Sequence, residues 1–260
     1  MPQCILIEKA GRVTTITLNR PAVMNAVNPQ MHAELQEAFD AFAADASQFI
    51  CVVTGAGEKA FCAGSDLKAA VADGFDKKYP KNGYAGLIER YDLAKPVIAA
   101  VNGLALGGGF EIALACDIII AAPHASFGLP EPLVGAVALG GGLHRLARQI
   151  GLKQAMGMVL SSRRVSAEEG ARLGFVTEIA PEGELAAVTQ RWCEEILRAS
   201  PMAIRASKQT IMRGLDEASL ADAMAHQAEY PAFAAMMRSE DLKEGARAFA
   251  EKRKPDWKGR

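Results

Sequence analysis

Residues 95–111 of the chain read KPVIAAVNGLALGGGFE. The part at 96–101 is an unbroken apolar run, which is typical of a strand that is buried on both faces of a sheet. A turn and then three glycines follow, and they lead into an apolar helix that we expect at 107–115. Residues 118–121 are again apolar, and another strand is predicted at 117–121. The alternation of strand, helix and strand predicts an α/β fold.

The three consecutive glycines, Gly107 to Gly109, stand where this helix begins. They are not a phosphate loop, because no Lys-Ser or Lys-Thr pair ends the run, and their spacing is not that of a dinucleotide-binding turn. Backbone N–H groups in the first turn of a helix have no partner within the helix and favour negative charge. One interpretation is that these amides form half of an oxyanion hole. The alternative is that the glycines only let the helix pack tightly on a strand.

Glu111 lies in the first turn of this apolar helix, where we expect it to be buried. Burial raises the pKa of a carboxyl group and a helix N-terminus lowers it, so both directions are open. Glu131 stands between two prolines in FGLPEP, residues 127–132, where no helix is predicted. Each glutamate also has a plain interpretation: Glu111 as a partner of the helix dipole, and Glu131 as a solvated turn residue.

A second amide donor is predicted at Ser65, in FCAGSDLK at residues 61–68. Ser65 and Asp66 are typical of the start of a short helix, so the N–H of Ser65 would be unpaired, although this pattern alone favours an ordinary helix cap. Two carboxyl groups that face one carbonyl beside free N–H donors can add or remove water across an activated double bond. That chemistry is our central hypothesis for Glu111 and Glu131.

The N-terminal part of the chain shows the same alternation of elements. Strands are predicted at 4–8, 13–18 and 49–54. Between the last two, Asn28 followed by Pro29 predicts the start of a helix. One face of this helix is apolar and consists of Met31, Leu35, Phe39 and Phe42. His32 is expected on its polar side.

The segment 72–86 is rich in Gly, Lys, Asp and Tyr, and it predicts a mobile loop over the site. A third unit consists of two helices, at 140–150 and 152–160, and a strand at 175–179. Four amphipathic helices are predicted after it, at 184–199, 202–213, 215–229 and 241–252.

We divide the chain at the point where the helical segments take over. Residues 1–197 are predicted to form the core, which carries the site, and residues 198–260 a helical C-terminal region. A helical region this short cannot bury its apolar side alone, so we expect it to pack on the core or on another subunit.

Composition limits the possible functions. The 260 residues include 29 basic and 30 acidic ones, and the net charge is −1, so nothing requires nucleic acid or a membrane surface as a partner. No signal-peptide pattern is present, which favours the cytoplasm. The five cysteines form no CxxC pair and are expected in the core, Cys62 included. The four histidines have no metal-ligand spacing, so no metal site is predicted.

Taken together, several segments resemble the crotonase superfamily, also called the enoyl-CoA hydratase/isomerase family. They occur in that family's order and spacing and cover nearly the whole chain. The segments are NRP at 19–21, NA at 25–26, VTG at 53–55, AFCAGSDL at 60–67, the stretch 95–111, CD at 116–117, FGLPE at 127–131 and AFAEKR at 248–253. The resemblance implies a spiral of repeated ββα units with a helical C-terminal region that builds homotrimers, or dimers of trimers.

The resemblance also implies a role for each candidate residue. The N–H groups of Ser65 and Gly108 would hold a thioester carbonyl oxygen as it becomes an enolate. Glu111 and Glu131 would share one water: one activates it for attack on C3, and the other handles the proton at C2. No cofactor beyond the coenzyme A of the thioester substrate is implied. Coenzyme A would be bound by Ala26, Ala63, Gly64, Asp66 and Lys68, with Phe233 and Lys252 of a neighbouring subunit over the adenine.

Details of the resemblance favour hydration or dehydration over other reactions. Residues 63–64, 66–70, 83–87, 107–111 and 248–260 resemble family members that dehydrate carnitinyl-CoA, which implies a carnitinyl- or crotonobetainyl-CoA-like thioester. Ser65 differs, because it stands where those members carry a bulkier aromatic residue. Residue 139 is leucine, where dienoyl isomerases of the family carry an aspartate. Two alternatives stay open: an enoyl-CoA delta isomerase, which would depend mainly on Glu131, and a non-catalytic acyl-CoA- or RNA-binding protein.

Overall fold

The structure is a computed structural model that describes residues 3–72 and 79–260. These residues form two β-sheets and a larger number of helices. The strands are β1 Ile5–Ala10, β2 Val13–Leu18, β3 Ile50–Gly55, β4 Ala60–Cys62, β5 Val97–Val101, β6 Leu104–Leu106, β7 Ile118–Ala121, β8 Ser126–Gly128, β9 Val165–Ser166 and β10 Glu178–Ile179. The helices are α1 Pro29–Ala44, α2 Leu67–Ala72, α3 Gly108–Ala115, α4 Gly142–Ile150, α5 Leu152–Ser161, α6 Ala167–Leu173, α7 Leu185–Leu197, α8 Pro201–Gly214, α9 Leu220–His226, α10 Pro231–Met237 and α11 Glu240–Ala250.

The two sheets divide the strands in a regular way. The larger sheet has the order β1-β2-β3-β5-β7-β10, and the smaller sheet has the order β4-β6-β8-β9. β1 and β2 form an antiparallel hairpin, and the other pairs of the larger sheet are parallel. In two repeats, β3-β4-α2 and β5-β6-α3, the first strand lies in the larger sheet, the second lies in the smaller sheet, and a helix follows. The predicted α/β fold with repeated ββα units is confirmed.

Helix α1 begins as its sequence predicts. The side chain of Asn28 accepts a 2.8 Å hydrogen bond from the N–H of Met31, and Pro29 is the first helical residue. The apolar face that was predicted for this helix is buried. The expectation for His32 is wrong: its side chain is also buried, and its Nδ1 accepts a 3.0 Å hydrogen bond from the N–H of Ala85.

The hydrophobic core surrounds α3. The rings of Phe110, Phe127 and Phe175 pack against one another with centroids 5.1 to 5.4 Å apart. These rings join α3 to the smaller sheet and to the segment before β10. A second apolar cluster lies on the other face of the larger sheet, where Val188 and Cys193 of α7 pack on that sheet. Helix α3 is therefore held from several sides, which fixes its N-terminus in the core.

The segment predicted as a loop over the site is only partly described, because residues 73–78 lie outside the described part of the chain. For its last residues the prediction is wrong. Tyr84, Ala85 and Gly86 form a buried 3₁₀ turn against α1. Ala85 has a φ of 55° there, a left-handed conformation that is uncommon for a residue other than glycine.

The predicted helices at 140–150, 152–160, 184–199, 202–213 and 241–252 correspond to observed ones within a few residues. The predicted helix at 215–229 is wrong in its extent, because α9 covers only Leu220–His226 and α10 begins at Pro231. Lys208 on α8 ties this region to the core through a 2.7 Å ion pair with Asp117. The division at residue 197 stays a prediction. In the described residues, no helix combines the length and the apolar character that crossing a membrane requires.

Candidate active site

The N-terminus of α3 presents a free amide. Gly107 has a φ of 54° and donates its N–H to the carbonyl of Gly128 at 2.9 Å, which joins the helix start to β8. Gly108 is the first helical residue, so its N–H has no intrahelical partner. No hydrogen-bond acceptor for it is found elsewhere in residues 3–72 and 79–260. Gly109 lets the helix pack tightly on β4, because a Cβ there would overlap the carbonyl of Cys62.

A second free amide belongs to Ser65, just after β4. Gly64 accepts from the N–H of Val27 at 2.8 Å, and Asp66 donates to the carbonyl of Val27 at 2.9 Å. Because successive peptide groups of an extended segment point to opposite sides, the N–H of Ser65 points away from Val27. It too has no acceptor in the part of the chain that the structure describes.

Gly64 brings the two amides together. Its φ is 94°, and a Cβ at this position would lie 2.9 Å from the carbonyl oxygen of Leu106 and 3.2 Å from the nitrogen of Gly108. The turn that carries Ser65 therefore lies directly against the start of α3. Two unpaired N–H groups on neighbouring backbones are the arrangement that binds one oxyanion.

Glu111 lies one turn into α3 and is buried, with 3% of its surface exposed. Its Oε1 accepts a 2.9 Å hydrogen bond from the N–H of Gly142 at the start of α4. Burial raises the pKa of Glu111 to about 7, and the charge of Glu131 also raises it, whereas the hydrogen bond from Gly142 lowers it. A carboxyl group with this pKa can both accept and donate a proton near neutrality.

Glu131 begins a 3₁₀ turn, Glu131–Val134, that follows β8. Its side chain is partly buried and lies against the start of α3, because a Cβ at Gly107 would be 2.9 Å from its Oε1. The charge of Glu131 is close enough to raise the pKa of Glu111. The structure thus brings both carboxyl groups to the helix end that carries the amide of Gly108.

Tyr84 is a site residue that the sequence did not reveal. Its phenol ring packs on Gly108, where a Cβ would overlap Cζ and Oη and lie 2.7 Å from Cε1. Its hydroxyl is 3.3 Å from Oγ of Ser65. The only signal was the sequence GYAGL at residues 83–87, and nothing in its spacing indicated burial beside α3.

Comparison with known proteins shows which protein family the chain belongs to. The sequence profile of the family described as enoyl-CoA hydratase/isomerase matches residues 8–260. The chain belongs to the enoyl-CoA hydratase/isomerase family.

Relatives agree with that membership over the full length. A carnitinyl-CoA dehydratase of Proteus mirabilis is 40% identical over 263 residues, which cover 100% of both chains. The crystal structure of an enoyl-CoA hydratase from Mycobacterium marinum is 41% identical and superposes with a TM-score of 0.92 over 100% of both chains. An enoyl-CoA hydratase from Bacillus anthracis is 34% identical, with a TM-score of 0.90 over 99% of this chain and 100% of that one. The fold is that of the enoyl-CoA hydratases.

In this family member, five of the predicted coenzyme A residues lie together around β4 and the start of α2. Ala26 and Gly64 are buried, Ala63 is partly buried, and Lys68 is exposed. Asp66 forms a 3.0 Å ion pair with Arg20, whose Nη1 also donates to the carbonyl of Ala26. The structure brings these residues close to Ser65, and their binding role stays a prediction.

The other two predicted coenzyme A residues lie in the C-terminal region. Phe233 is partly buried in α10, which packs on α8, and Lys252 is exposed just after α11. Their contact with the substrate of a neighbouring subunit stays a prediction.

The cysteines are buried, and the potential metal-ligating side chains in the described part of the chain do not cluster. All five cysteines are buried and free, and burial raises the pKa of Cys62 to about 12, which makes its thiol unreactive near neutral pH. The described residues contain no cluster of three or more His, Cys, Asp or Glu side chains that could hold a metal ion.

Proposed function

We propose that the protein catalyses the reversible hydration of a 2-enoyl-CoA to a 3-hydroxyacyl-CoA. The observation that carries the proposal is the meeting of two unpaired amides, from Ser65 and Gly108, with two carboxyl groups, of Glu111 and Glu131, at the start of α3. The names of the relatives, enoyl-CoA hydratase and carnitinyl-CoA dehydratase, support the same reaction type.

The proposed mechanism uses each group once. The thioester oxygen accepts from both amides, which stabilises the negative charge that it gains as the enolate forms. One carboxylate takes a proton from water while the water oxygen bonds to C3, and C2 receives a proton from the other carboxyl group. The net change is the addition of one water, and dehydration is the same path reversed. Removal of one oxyanion donor typically costs about 100- to 1,000-fold in kcat, so the glutamates alone would not suffice.

We infer a carnitinyl- or crotonobetainyl-CoA-like thioester as one acyl group to test. The support is the resemblance of residues 63–64, 66–70, 83–87, 107–111 and 248–260, together with the 40% identity to a carnitinyl-CoA dehydratase. Short, branched and aromatic enoyl groups are the competing possibilities.

We also propose that the protein works as a homotrimer or a dimer of trimers. Leu152, Met156 and Leu160 form an exposed apolar stripe at spacings of four on α5. Leu133 and Leu139, after Glu131, are exposed as well. Apolar residues grouped in this way are typical of a surface that another subunit covers. Light scattering coupled to gel filtration would measure the assembly.

We propose a cytoplasmic location, which the bacterial origin of the relatives supports.

The test of the function is a spectrophotometric panel of short, branched, aromatic and trimethylammonium 2-enoyl-CoA thioesters. We expect loss of the enoyl absorbance with at least one of them, and loss of that activity by several orders of magnitude in Glu111→Gln and in Glu131→Gln. Absence of turnover across the panel would exclude the hydratase. Tight RNA binding by such an inactive chain would then support the binding-protein alternative.

The isomerase alternative makes a different prediction for the same variants. A delta isomerase needs one acid to move a proton between two carbons, so Glu111→Gln would keep much of its activity on a 3-enoyl-CoA. The buried hydrogen bond between Glu111 and Gly142 favours the hydratase, because it holds a second acid in place beside the first.

A further inference from the structure

Tyr84 touches both residues whose amides form the candidate oxyanion hole. Its ring lies against the α-carbon of Gly108, and its Oη is 3.3 Å from Oγ of Ser65. An oxygen that accepted from both amides would lie between those two residues. The phenol hydroxyl is therefore beside the position that the thioester oxygen would take.

The position of Tyr84 is fixed by the turn that carries it. The N–H of Ala85 donates to Nδ1 of His32, and the ring of His32 packs edge-on against Tyr84 with centroids 4.6 Å apart. Ala85 has a φ of 55°, a left-handed conformation that is strained for a residue with a side chain. Local strain of this kind persists only where the surroundings hold it, and it is found most often at functional sites.

The hydrogen-bond pattern leaves the phenol proton available. Oγ of Ser65 donates to Oη of Tyr84, and the described residues provide no acceptor for the phenol proton in that arrangement. Burial raises the pKa of Tyr84 well above its usual range, so the hydroxyl stays protonated throughout the neutral range. Tyr84 is thus a neutral donor with an unused proton at the hole.

We propose that Tyr84 is a catalytic residue, which donates a third hydrogen bond from its phenol hydroxyl to the thioester oxygen. The bond strengthens as the oxygen gains charge in the enolate, so it lowers the barrier more than it tightens substrate binding. Oγ of Ser65 positions the phenol by donating to Oη. This inference rests on the proposed function and extends the oxyanion hole from two donors to three.

The main test compares Tyr84→Phe with the unchanged enzyme, since phenylalanine keeps the ring and removes only the hydroxyl. With the most active enoyl-CoA of the panel, kcat should fall about 10- to 100-fold while KM changes by less than about threefold. The affinity for acetoacetyl-CoA, whose bound enolate carries the same charge, should weaken by a similar factor. The affinity for butyryl-CoA, which forms no enolate, should not change. A thermal melt checks that the variant is folded.

Three outcomes would overturn the proposal. These are an unchanged kcat, a change in KM alone, and equal losses of affinity for acetoacetyl-CoA and butyryl-CoA, which would make Tyr84 a wall of the pocket. A double-mutant cycle tests the role of Ser65: Ser65→Ala should lower kcat on its own, because it keeps the amide but frees the phenol, and should add little to Tyr84→Phe. If the unchanged enzyme hydrates no thioester, the proposed function fails, yet the two affinities still decide on Tyr84.

Discussion

The N–H of Gly142 donates a 2.9 Å hydrogen bond to Oε1 of Glu111. This bond connects the starts of two helices, because Gly142 begins α4 and Glu111 lies in the first turn of α3. The carboxyl group of Glu111 itself requires glycine at positions 140 and 142, around the start of α4. A Cβ at Gly140 would overlap Oε2 of Glu111, and one at Gly142 would lie 2.8 Å from its Cγ.

We therefore expect Gly140→Ala to displace the carboxyl group of Glu111 and to lower kcat by about 10-fold or more. Its matched control is Gly157→Ala, an exposed position in α5 with no atom within 4 Å of the added Cβ. The control should keep its activity and gain a little stability, because alanine favours a helix over glycine. Steady-state kinetics and thermal melts measure both. Full activity in Gly140→Ala would contradict the close contact with Glu111.

Glu111→Gln should be more stable than the unchanged protein at high pH. The folded protein has a Glu111 pKa of about 7, raised from 4.5. Because the pKa of Glu111 is higher in the folded than in the unfolded protein, folding favours its protonated form. The free energy of unfolding therefore falls as the pH rises from about 4.5 to about 7. The glutamine variant avoids that loss, so its advantage should be near zero at about pH 4 and reach at most about 3 kcal/mol above about pH 7.

Urea denaturation of both proteins at several pH values would measure this difference, in which the other titrating groups cancel. A constant difference across the pH range would mean that Glu111 titrates normally. If the difference instead grows with pH as predicted, Glu111 is a carboxyl group placed for function at a cost in stability.

The sequence revealed some parts of this site and missed others for physical reasons. Glu111 and the glycines before it were readable because a helix start has a local signature. The contact of Gly140 with Glu111 joins residues 29 positions apart, and that of Tyr84 with Gly108 joins residues 24 apart, so neither leaves a periodic pattern. Two-residue strands such as β9 are too short to show an alternation.

The pH dependence of the rate should respond to Arg145. Its charge lowers the pKa of Glu111, so Arg145→Gln should raise that pKa and move the corresponding limb of the kcat/KM profile to higher pH by less than about one unit. Arg148→Gln is the matched control, because it removes the same charge from an exposed position of the same helix. The control profile should not move, since water and salt screen that charge. Equal shifts in the two variants would indicate a general effect of net charge.

Gly64→Ala should separate the two amides, of Ser65 and Gly108, that form the proposed oxyanion hole. Its φ of 94° and its contacts with Leu106 and Gly108 leave no room for a Cβ. Gly57→Ala is the control: its φ is 77°, but the nearest atom to the added Cβ is 3.5 Å away, on Pro21. Both variants should lose about 1–2 kcal/mol of stability from the left-handed backbone. Only Gly64→Ala should lose kcat as well, on the order of 100-fold. Similar kinetics in the two variants would mean that the spacing of the amides does not limit the reaction.

Lys68 and Lys252 can be tested as ligands of the coenzyme A phosphates with a shortened substrate. An N-acetylcysteamine thioester keeps the acyl group and the thioester oxygen but lacks the nucleotide. We expect Lys68→Ala and Lys252→Ala to raise KM for the coenzyme A thioester about 5- to 10-fold, because a charged hydrogen bond is lost, and to leave KM for the short thioester unchanged. The control is Lys254→Ala, which removes an exposed charge two residues beyond Lys252. If it raises KM for the coenzyme A thioester equally, the basic C-terminus attracts the substrate through its total charge, and Lys252 has no specific contact with the nucleotide.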